Sequence, residues 1–300
     1  MIEIESLDAW RPERDVVMTI GSFDGLHRGH RHLLQQLVAR AQETARLSAA
    51  LTFFPHPRTV LQPGVAPSYL STPQERRALM AEMGLDILVV LPFTRELARA
   101  SAEEFLRALH ASLRLRELWV GNDFALGRGR HGDVAALQAL APQIGFTLWV
   151  VEPLYEEGLP ISSTRIRALL AEGDVARAAQ LLGRPYAFEA EVVRGFQRGR
   201  TLGFRTANLR ILPEQAVPAN GVYAVWALVA GQRWPAVGNI GIRPSFDAGE
   251  RLRVEFAQRL RPEMRFDDVQ ALVTQVRRDI ETARRLLKAP MPQVRAGSHG

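Results

Sequence analysis

Short apolar runs alternate with longer amphipathic segments between residues 16 and 154, and few folds satisfy this pattern. The run at 16–20 is continuous, as expected for a strand buried on both faces of a sheet. The segment at 30–41 carries an apolar stripe at helical spacing. Strands separated by helices predict an α/β domain with a doubly wound, parallel sheet. Ligands of such a sheet bind beyond the carboxyl ends of its strands.

Helix caps and apolar runs define the other elements of this part of the chain. Thr72 and Ser101 each precede a glutamate by three residues, the capping-box pattern that begins a helix. The remaining predicted elements are strands at 51–54, 87–91, 118–120 and 147–151 and a helix at 133–140.

The pattern changes in the second half of the chain. Residues 161–183 are predicted to form two short helices that end at glycines. From Tyr186 onward, short β-like pieces separated by Gly and Pro turns predict a small antiparallel β-barrel. Apolar residues that recur on one face predict a final helix at 268–287. The predicted divisions are a first domain at 1–183, a second at 184–288 and a tail at 289–300.

Composition excludes several kinds of chemistry. The chain has no cysteine, which rules out disulfides, thiolate nucleophiles and cysteine-ligated metals. Lys288 is the only lysine among 38 Lys and Arg residues, so the Gly-Lys-Ser/Thr core of a Walker A loop is absent. The net charge of +6 comes from arginines spread along the chain. Because no RNA- or DNA-binding motif accompanies them, we expect no nucleic-acid partner.

The chain shows no sequence signal for membranes or secretion. Its apolar runs are far shorter than a bilayer requires. The first 15 residues contain early acidic residues and no apolar signal core. We therefore expect a cytoplasmic protein that has no membrane partner and binds small molecules; a homo-oligomer is compatible with the sequence.

Residues 21–30, GSFDGLHRGH, join the first predicted strand directly to the first predicted helix. Glycines let the backbone approach a ligand closely, and a helix N-terminus offers unpaired N–H groups to a phosphate. His27 and His30 are three residues apart and share one face of a helical turn. Two imidazoles there can stabilise charge on a transferring group. The alternative is that His27 only caps the turn and His30 is a surface histidine, but their place between strand and helix favours phosphate binding.

A second cluster, ISSTRIR at residues 161–167, crowds three hydroxyls and two arginines at a helix start. Hydroxyls, free N–H groups and guanidinium groups together suit a polyphosphate. The alternative is ordinary serine capping beside solvated arginines, although capping alone needs a single hydroxyl. We expect this cluster and the two imidazoles to converge on one triphosphate.

Residues 21–30 resemble the signature of the HxGH nucleotidyltransferases. From about residue 16 to residue 284, the chain resembles the prokaryotic bifunctional riboflavin kinase/FAD synthetase family. The resemblance implies a Rossmann-like nucleotidyltransferase domain with a parallel sheet, then a riboflavin-kinase-like β-barrel and a C-terminal helix. It is carried in the first part of the chain by 21–30, 52–58, 120–124, 127–129, 161–167, 173–175 and 182–186.

The resemblance implies that residues 1–183 transfer AMP from ATP to FMN, giving FAD and pyrophosphate, with Mg²⁺ bridging the phosphates. It implies catalytic roles for His27, His30 and Arg167. The remaining residues implied by the family are Gly21, Phe23, Asp24, Gly29, Ser162, Ser163, Thr164 and Arg165 for ATP, and Asn122, Asp123 and Phe124 for the flavin.

The second half resembles riboflavin kinase, and the resemblance implies Thr206 and Asn208 as ligands of Mg²⁺ and ATP. The family then has a strand that carries a glutamate, the expected general base for the riboflavin 5′-hydroxyl. That strand is missing here. Since a positioned base contributes roughly 10²–10⁴-fold, we expect an impaired or inactive kinase half. The alternative is that another carboxylate, such as Glu250 or Glu255, serves as the base.

Two other functions are compatible with parts of the sequence. An HxGH adenylyltransferase for nicotinamide mononucleotide or phosphopantetheine would need no flavin, but it leaves residues 184–287 unexplained. A non-catalytic flavin or nucleotide sensor could use the same scaffold, but a sensor need not keep both phosphate-binding motifs.

Overall fold

A computed structural model describes residues 1–288 except 9, 63, 65–67, 195–206, 213 and 242–245, and at 194 and 246–250 it describes the backbone alone. The predicted tail at 289–300 lies outside the described residues. By their contacts, residues group into two compact units, Met1–Pro67 with Thr72–Ile161, and Ser68–Ser71 with Ser162–Gly300.

The first unit contains a sheet of six parallel strands: β1 (Ile2–Ile4), β2 (Val16–Ile20), β3 (Leu47–Phe54), β4 (Ile87–Pro92), β5 (Leu115–Gly121) and β6 (Thr147–Val151). Their order across the sheet is β1-β4-β3-β2-β5-β6. The chain adds β3 and β4 on one side of β2 and then β5 and β6 on the other. This topology confirms the predicted doubly wound α/β fold.

The helices of the first unit are α1 (Arg28–Glu43), α2 (Pro57–Leu61), α3 (Pro73–Glu82), α4 (Ala102–Leu113) and α5 (Val134–Ile144). Both predicted capping boxes are present: the side chains of Thr72 and Ser101 accept from the backbone N–H of the glutamates three residues later. Strand β1 and helix α2 were not predicted. Each is shorter than the span over which a period of 2 or 3.6 can be recognised.

In its described residues, the second unit contains three helices, α6 (Ser163–Glu172), α7 (Val175–Leu182) and α8 (Val269–Lys288). Its antiparallel sheet consists of β7 (Tyr186–Arg194), β8 (Asn208–Ile211), β9 (Gly221–Val229), β10 (Gln232–Ile240) and β11 (Phe246–Arg261). The strand order is β8-β7-β11-β9-β10. Helices α6 and α7 end at left-handed Gly173 and Gly183, as predicted. The antiparallel β-domain and the final helix are therefore confirmed.

Within the described ranges, every helix is too short or too polar to cross a membrane.

Candidate active site

The order of strands in the first unit reverses between β2 and β5, which lie side by side. Residues 21–30 follow the carboxyl end of β2, and residues 122–124 follow that of β5. Two predicted site loops therefore lie at one edge of the sheet, at the point where doubly wound folds bind ligands.

His27 and His30 stack on each other, with ring centroids 3.6 Å apart and planes inclined by 16°. His27 is buried and caps helix α1: its Nδ1 accepts a hydrogen bond from the backbone N–H of His30 at 3.2 Å. A ring nitrogen that accepts carries no proton, so neutral His27 carries its proton on Nε2. The capping role predicted as an alternative is therefore present at Nδ1 of His27. Its Nε2 is a donor, which suits an anion.

The environment of His30 keeps its imidazole neutral. Burial, followed by the neighbouring His27 and the positive charge of Arg76, lowers the pKa of His30 well below its ordinary value of 6.5. Its Nδ1 is buried and has no hydrogen-bond partner in the described part of the chain. A buried polar atom left unpaired costs about 1–3 kcal/mol, so this nitrogen is suited to a ligand that can pair with it.

A strained turn presents the two imidazoles. Phe23 and Leu26 have left-handed backbones with φ of 47° and 39°, which residues other than glycine rarely adopt. The Phe23 ring packs in the core beneath the turn and meets His30 edge-on at 5.4 Å. Asp24 is also buried, at 1% exposure. Direct contacts of Phe23 and Asp24 with ATP stay a prediction.

Two glycines of the turn allow close packing. A Cβ on Gly29 would lie 3.2 Å from the His27 ring, and a Cβ on Gly21 would lie 3.0 Å from the Phe23 ring. Both distances are tighter than ordinary carbon contacts. The absence of side chains at these positions lets both rings pack against the backbone of the turn.

Arg76 of helix α3 was not predicted as a site residue. Its side chain is buried, and its Nη1 donates to the backbone oxygen of Ser22 at 2.7 Å. The hydroxyl of Thr52 donates to the same oxygen at 3.4 Å. The sequence contained a signal that Arg76 is buried, because Arg76 and Met80 are four residues apart and share the buried face of α3.

The loop after β5 combines exposed polar groups with an apolar wall. Asn122 and Asp123 are exposed in a turn, and Arg130 Nη2 donates to the backbone oxygen of Asp123 at 3.2 Å. Phe124 is half-buried against the core of the first unit. The side chains of Asn122 and Asp123 are accessible to a ligand at this edge.

The second cluster begins helix α6 of the second unit. Ser162 caps the helix by accepting from the backbone N–H of Arg165 at 3.2 Å, while Ser163 and Thr164 begin the first turn. Arg167 Nε donates to the backbone oxygen of Ser68, also in the second unit, at 2.6 Å. The predicted convergence of this cluster with the imidazoles on one triphosphate stays a prediction.

The connection between β10 and β11 contains only residues 241–245. Strand β11 then runs for 16 residues and carries both Glu250 and Glu255. Glu255 of β11 forms ion pairs with Arg233 at 2.9 Å and Arg253 at 3.6 Å. The side chain of Glu250 lies outside the described set.

The predicted metal ligands of the second half are only partly described. Asn208 is half-buried at the start of β8, where it pairs with Val193 of β7. Thr206 lies outside the described residues.

Two family models match the chain, FAD synthetase over residues 10–165 and riboflavin kinase over residues 182–287. The bifunctional riboflavin kinase/FMN adenylyltransferase of Pseudomonas fluorescens is 38% identical over 303 residues, covering 94% of this chain and 97% of that protein. The protein of the same name from Escherichia coli K12 is 36% identical over 300 residues, covering 94% and 96%. A crystal structure from Streptococcus pneumoniae, described as a macrolide-efflux protein, has a TM-score of 0.85 and 29% identity, covering 94% of this chain and 98% of that one.

Proposed function

This chain belongs to the family of bifunctional riboflavin kinase/FMN adenylyltransferases, and from that premise we propose that the turn after β2 performs adenylyl transfer from ATP to FMN. An oxygen of the FMN phosphate bonds to the α-phosphorus of ATP. The bond from that phosphorus to the oxygen bridging the β-phosphate breaks, and pyrophosphate leaves. Because no group on the protein becomes covalently attached, catalysis consists of positioning and charge stabilisation.

The observation that supports this role most strongly is the stacked imidazole pair at the start of α1. In this proposal His27 donates from Nε2 to a phosphate oxygen, at a helix start whose first N–H groups also suit a phosphate. His30 stays neutral while the site is empty, because burial and nearby positive charge disfavour its protonation. An arriving triphosphate brings the negative charge that offsets both effects, so His30 can then stabilise the charge that develops on the α-phosphate.

The start of α6 offers a second set of groups suited to phosphate. We propose that Ser163, Thr164 and Arg165 bind the β- and γ-phosphates and that Arg167 stabilises the leaving pyrophosphate. Ser162 supports them by capping the helix. Hydroxyls and guanidinium groups at a helix start form the donor set that a polyphosphate requires.

The flavin lies on the β5 side of the same edge in this proposal. Asn122 and Asp123 offer polar groups to FMN, and Phe124 provides part of the apolar wall. Mg²⁺ would bind through the phosphate oxygens of ATP and reduce their negative charge. In the second unit, the half-buried amide oxygen of Asn208 is a hard donor that fits this cation, with Thr206 as its predicted companion.

A comparison of two histidines tests the proposal. The protein with Mg-ATP and FMN should form FAD, measured by chromatographic separation of the flavins. His30→Ala should lower this rate by about 10²–10³-fold, because a donor to the developing charge is lost. His32→Ala is the control: His32 lies on the same helix, where it hydrogen-bonds Gln36. Equal rates in the two variants would remove His30 from the mechanism, and FMN left unchanged by the wild type would refute adenylyl transfer.

We also propose that riboflavin phosphorylation by the second unit is much slower than adenylyl transfer. The short connection after β10 and the ion-paired state of Glu255 support this, since neither supplies a free base for the riboflavin hydroxyl. With Mg-ATP and riboflavin, FMN should form at least about 10²-fold more slowly than FAD forms from FMN. FMN formed at a comparable rate would contradict the proposal, and Glu255→Gln would then test whether Glu255 is the base.

A further inference from the structure

Arg76 is a buried cation beside the imidazole pair, and the steps proposed above assign it no part. We propose that Arg76 is a positioning residue for adenylyl transfer: it holds the Ser22 carbonyl and thereby fixes the turn that carries His27 and His30. This role presupposes that the proposed adenylyl transfer takes place at that turn.

Arg76 contacts the backbone immediately before the strained part of the turn. Ser22 stands between the end of β2 and Phe23, the first of two non-glycine residues in the turn with left-handed backbones. Such backbones cost about 1–3 kcal/mol each and persist where surrounding contacts hold them. Arg76 Nη1 binds the Ser22 oxygen at 2.7 Å, and the Thr52 hydroxyl binds it from β3. The turn is thus held from outside, by a helix and a strand.

The charge of Arg76 also acts on the site. The groups that lower the pKa of His30, after burial itself, are His27 and Arg76. A positive charge near an imidazole favours the neutral ring. Arg76 therefore contributes to keeping His30 neutral.

Packing alone does not account for an arginine at this position. Arg76 and Met80 share the buried face of α3, and an apolar residue such as Met80 would fill such a position without the desolvation penalty of a charge. Arg76 is only 6% exposed, whereas the next residue, Arg77, is 60% exposed at its side chain and pairs with Glu3 at 2.9 Å. These neighbours form a matched pair of one buried and one exposed arginine.

The test compares Arg76→Met with Arg77→Met. Arg76→Met should lower kcat for FAD formation by about 10- to 100-fold while KM for FMN changes little, because the turn and not the flavin side is displaced. Arg77→Met should match the wild type. Arg76→Lys should recover most of the lost rate, since lysine keeps the charge and an N–H donor.

Titration of His30 by NMR separates positioning from folding. Arg76→Met should raise the pKa of His30 relative to the wild type, and Arg77→Met should leave it unchanged. An unchanged His30 titration, or equal kcat in the two methionine variants, would overturn the role. If Arg76→Met does not fold, wild-type kcat and wild-type resonances of the turn in an Arg76→Gln variant would overturn it instead. A wild type that makes no FAD would refute the proposed function, whereas the titration would still report on Arg76.

Discussion

The turn after β2 and the connection between β10 and β11 differ in how many contacts surround a predicted functional group. In the turn, the two imidazoles stack, His27 caps the helix, and the buried Arg76 donates to the Ser22 carbonyl, so several contacts surround the predicted catalytic groups. In the second unit, the general base expected for the riboflavin hydroxyl would lie on a single strand. The described sheet is continuous without that strand, because β11 pairs on both sides, with β7 and with β9. A sheet of this kind can therefore form without the strand on which the predicted base would lie.

An open strand edge can pair with another chain, and the edge of the second sheet formed by β10 carries a residue that disfavours such pairing. Strand β10 is an edge strand in the described sheet, and it carries Pro235 opposite Trp226 of β9. Proline has no N–H to donate to a further strand. Pro235 therefore disfavours the pairing of a further strand with this edge.

The largest expected effect concerns the packing of the second unit. Asp279 of α8 accepts a forked pair of hydrogen bonds from Arg261 of β11, and both side chains are largely buried. Asp279→Ala should destabilise this unit by about 3–5 kcal/mol, because it leaves a largely buried guanidinium without its carboxylate partner. The measurement is the urea unfolding midpoint.

Glu103→Ala is the control for Asp279→Ala. Its pair with Arg107 is about half-exposed, and loss of such a pair within one helix costs about 0.3–0.5 kcal/mol. Equal losses in the two variants would mean that the second unit is loosely packed.

A smaller effect is expected in the first unit at Glu117 of β5. Burial alone would raise the pKa of this carboxyl, but hydrogen bonds from Arg40 and Trp119 and the charges of Arg40 and Arg46 outweigh it and lower the pKa. Its stabilisation is therefore present above the unfolded pKa near 4.5 and is lost as the pH falls through the folded value. Glu117→Gln should cost about 1–3 kcal/mol at pH 7 and flatten the acid limb of the curve of stability against pH. An unchanged acid limb would contradict this assignment.

The smallest effects compare one helix cap in each unit. Ser101 caps α4 and Asp174 caps α7, each by accepting a backbone N–H near 3 Å. Replacing either by alanine should cost about 1 kcal/mol in thermal or urea unfolding. A much smaller cost at Asp174 alone would indicate that α7 is held by packing and not by its cap.

Local chemistry explains which parts of this molecule could be predicted. The capping boxes at Thr72 and Ser101, the glycine stops and the strand beginning at Val16 depend on neighbours in sequence, and the structure contains all of them. The carbonyl held by Arg76 lies 54 residues away, at Ser22. No local pattern specifies such a partner.

The helices at 163–182 illustrate the same limit for domain boundaries. Arg259 Nη1 donates to the Glu172 carbonyl at the end of α6, and Ala219 N–H donates to Leu170 at 2.9 Å. These tertiary contacts group both helices with the second unit, whereas the family models leave residues 166–181 unassigned. A boundary at residue 183 stays a prediction.

The most direct test of the contrast between the two units is ³¹P NMR of one reaction mixture. The protein is given Mg-ATP, riboflavin and FMN together, and the released phosphates are followed with time. Adenylyl transfer releases pyrophosphate, whereas phosphorylation of riboflavin releases ADP. We expect pyrophosphate to accumulate with FAD while ADP stays at the level of a riboflavin-free control. ADP accumulating in step with the loss of riboflavin, at a rate comparable to pyrophosphate, would contradict the account.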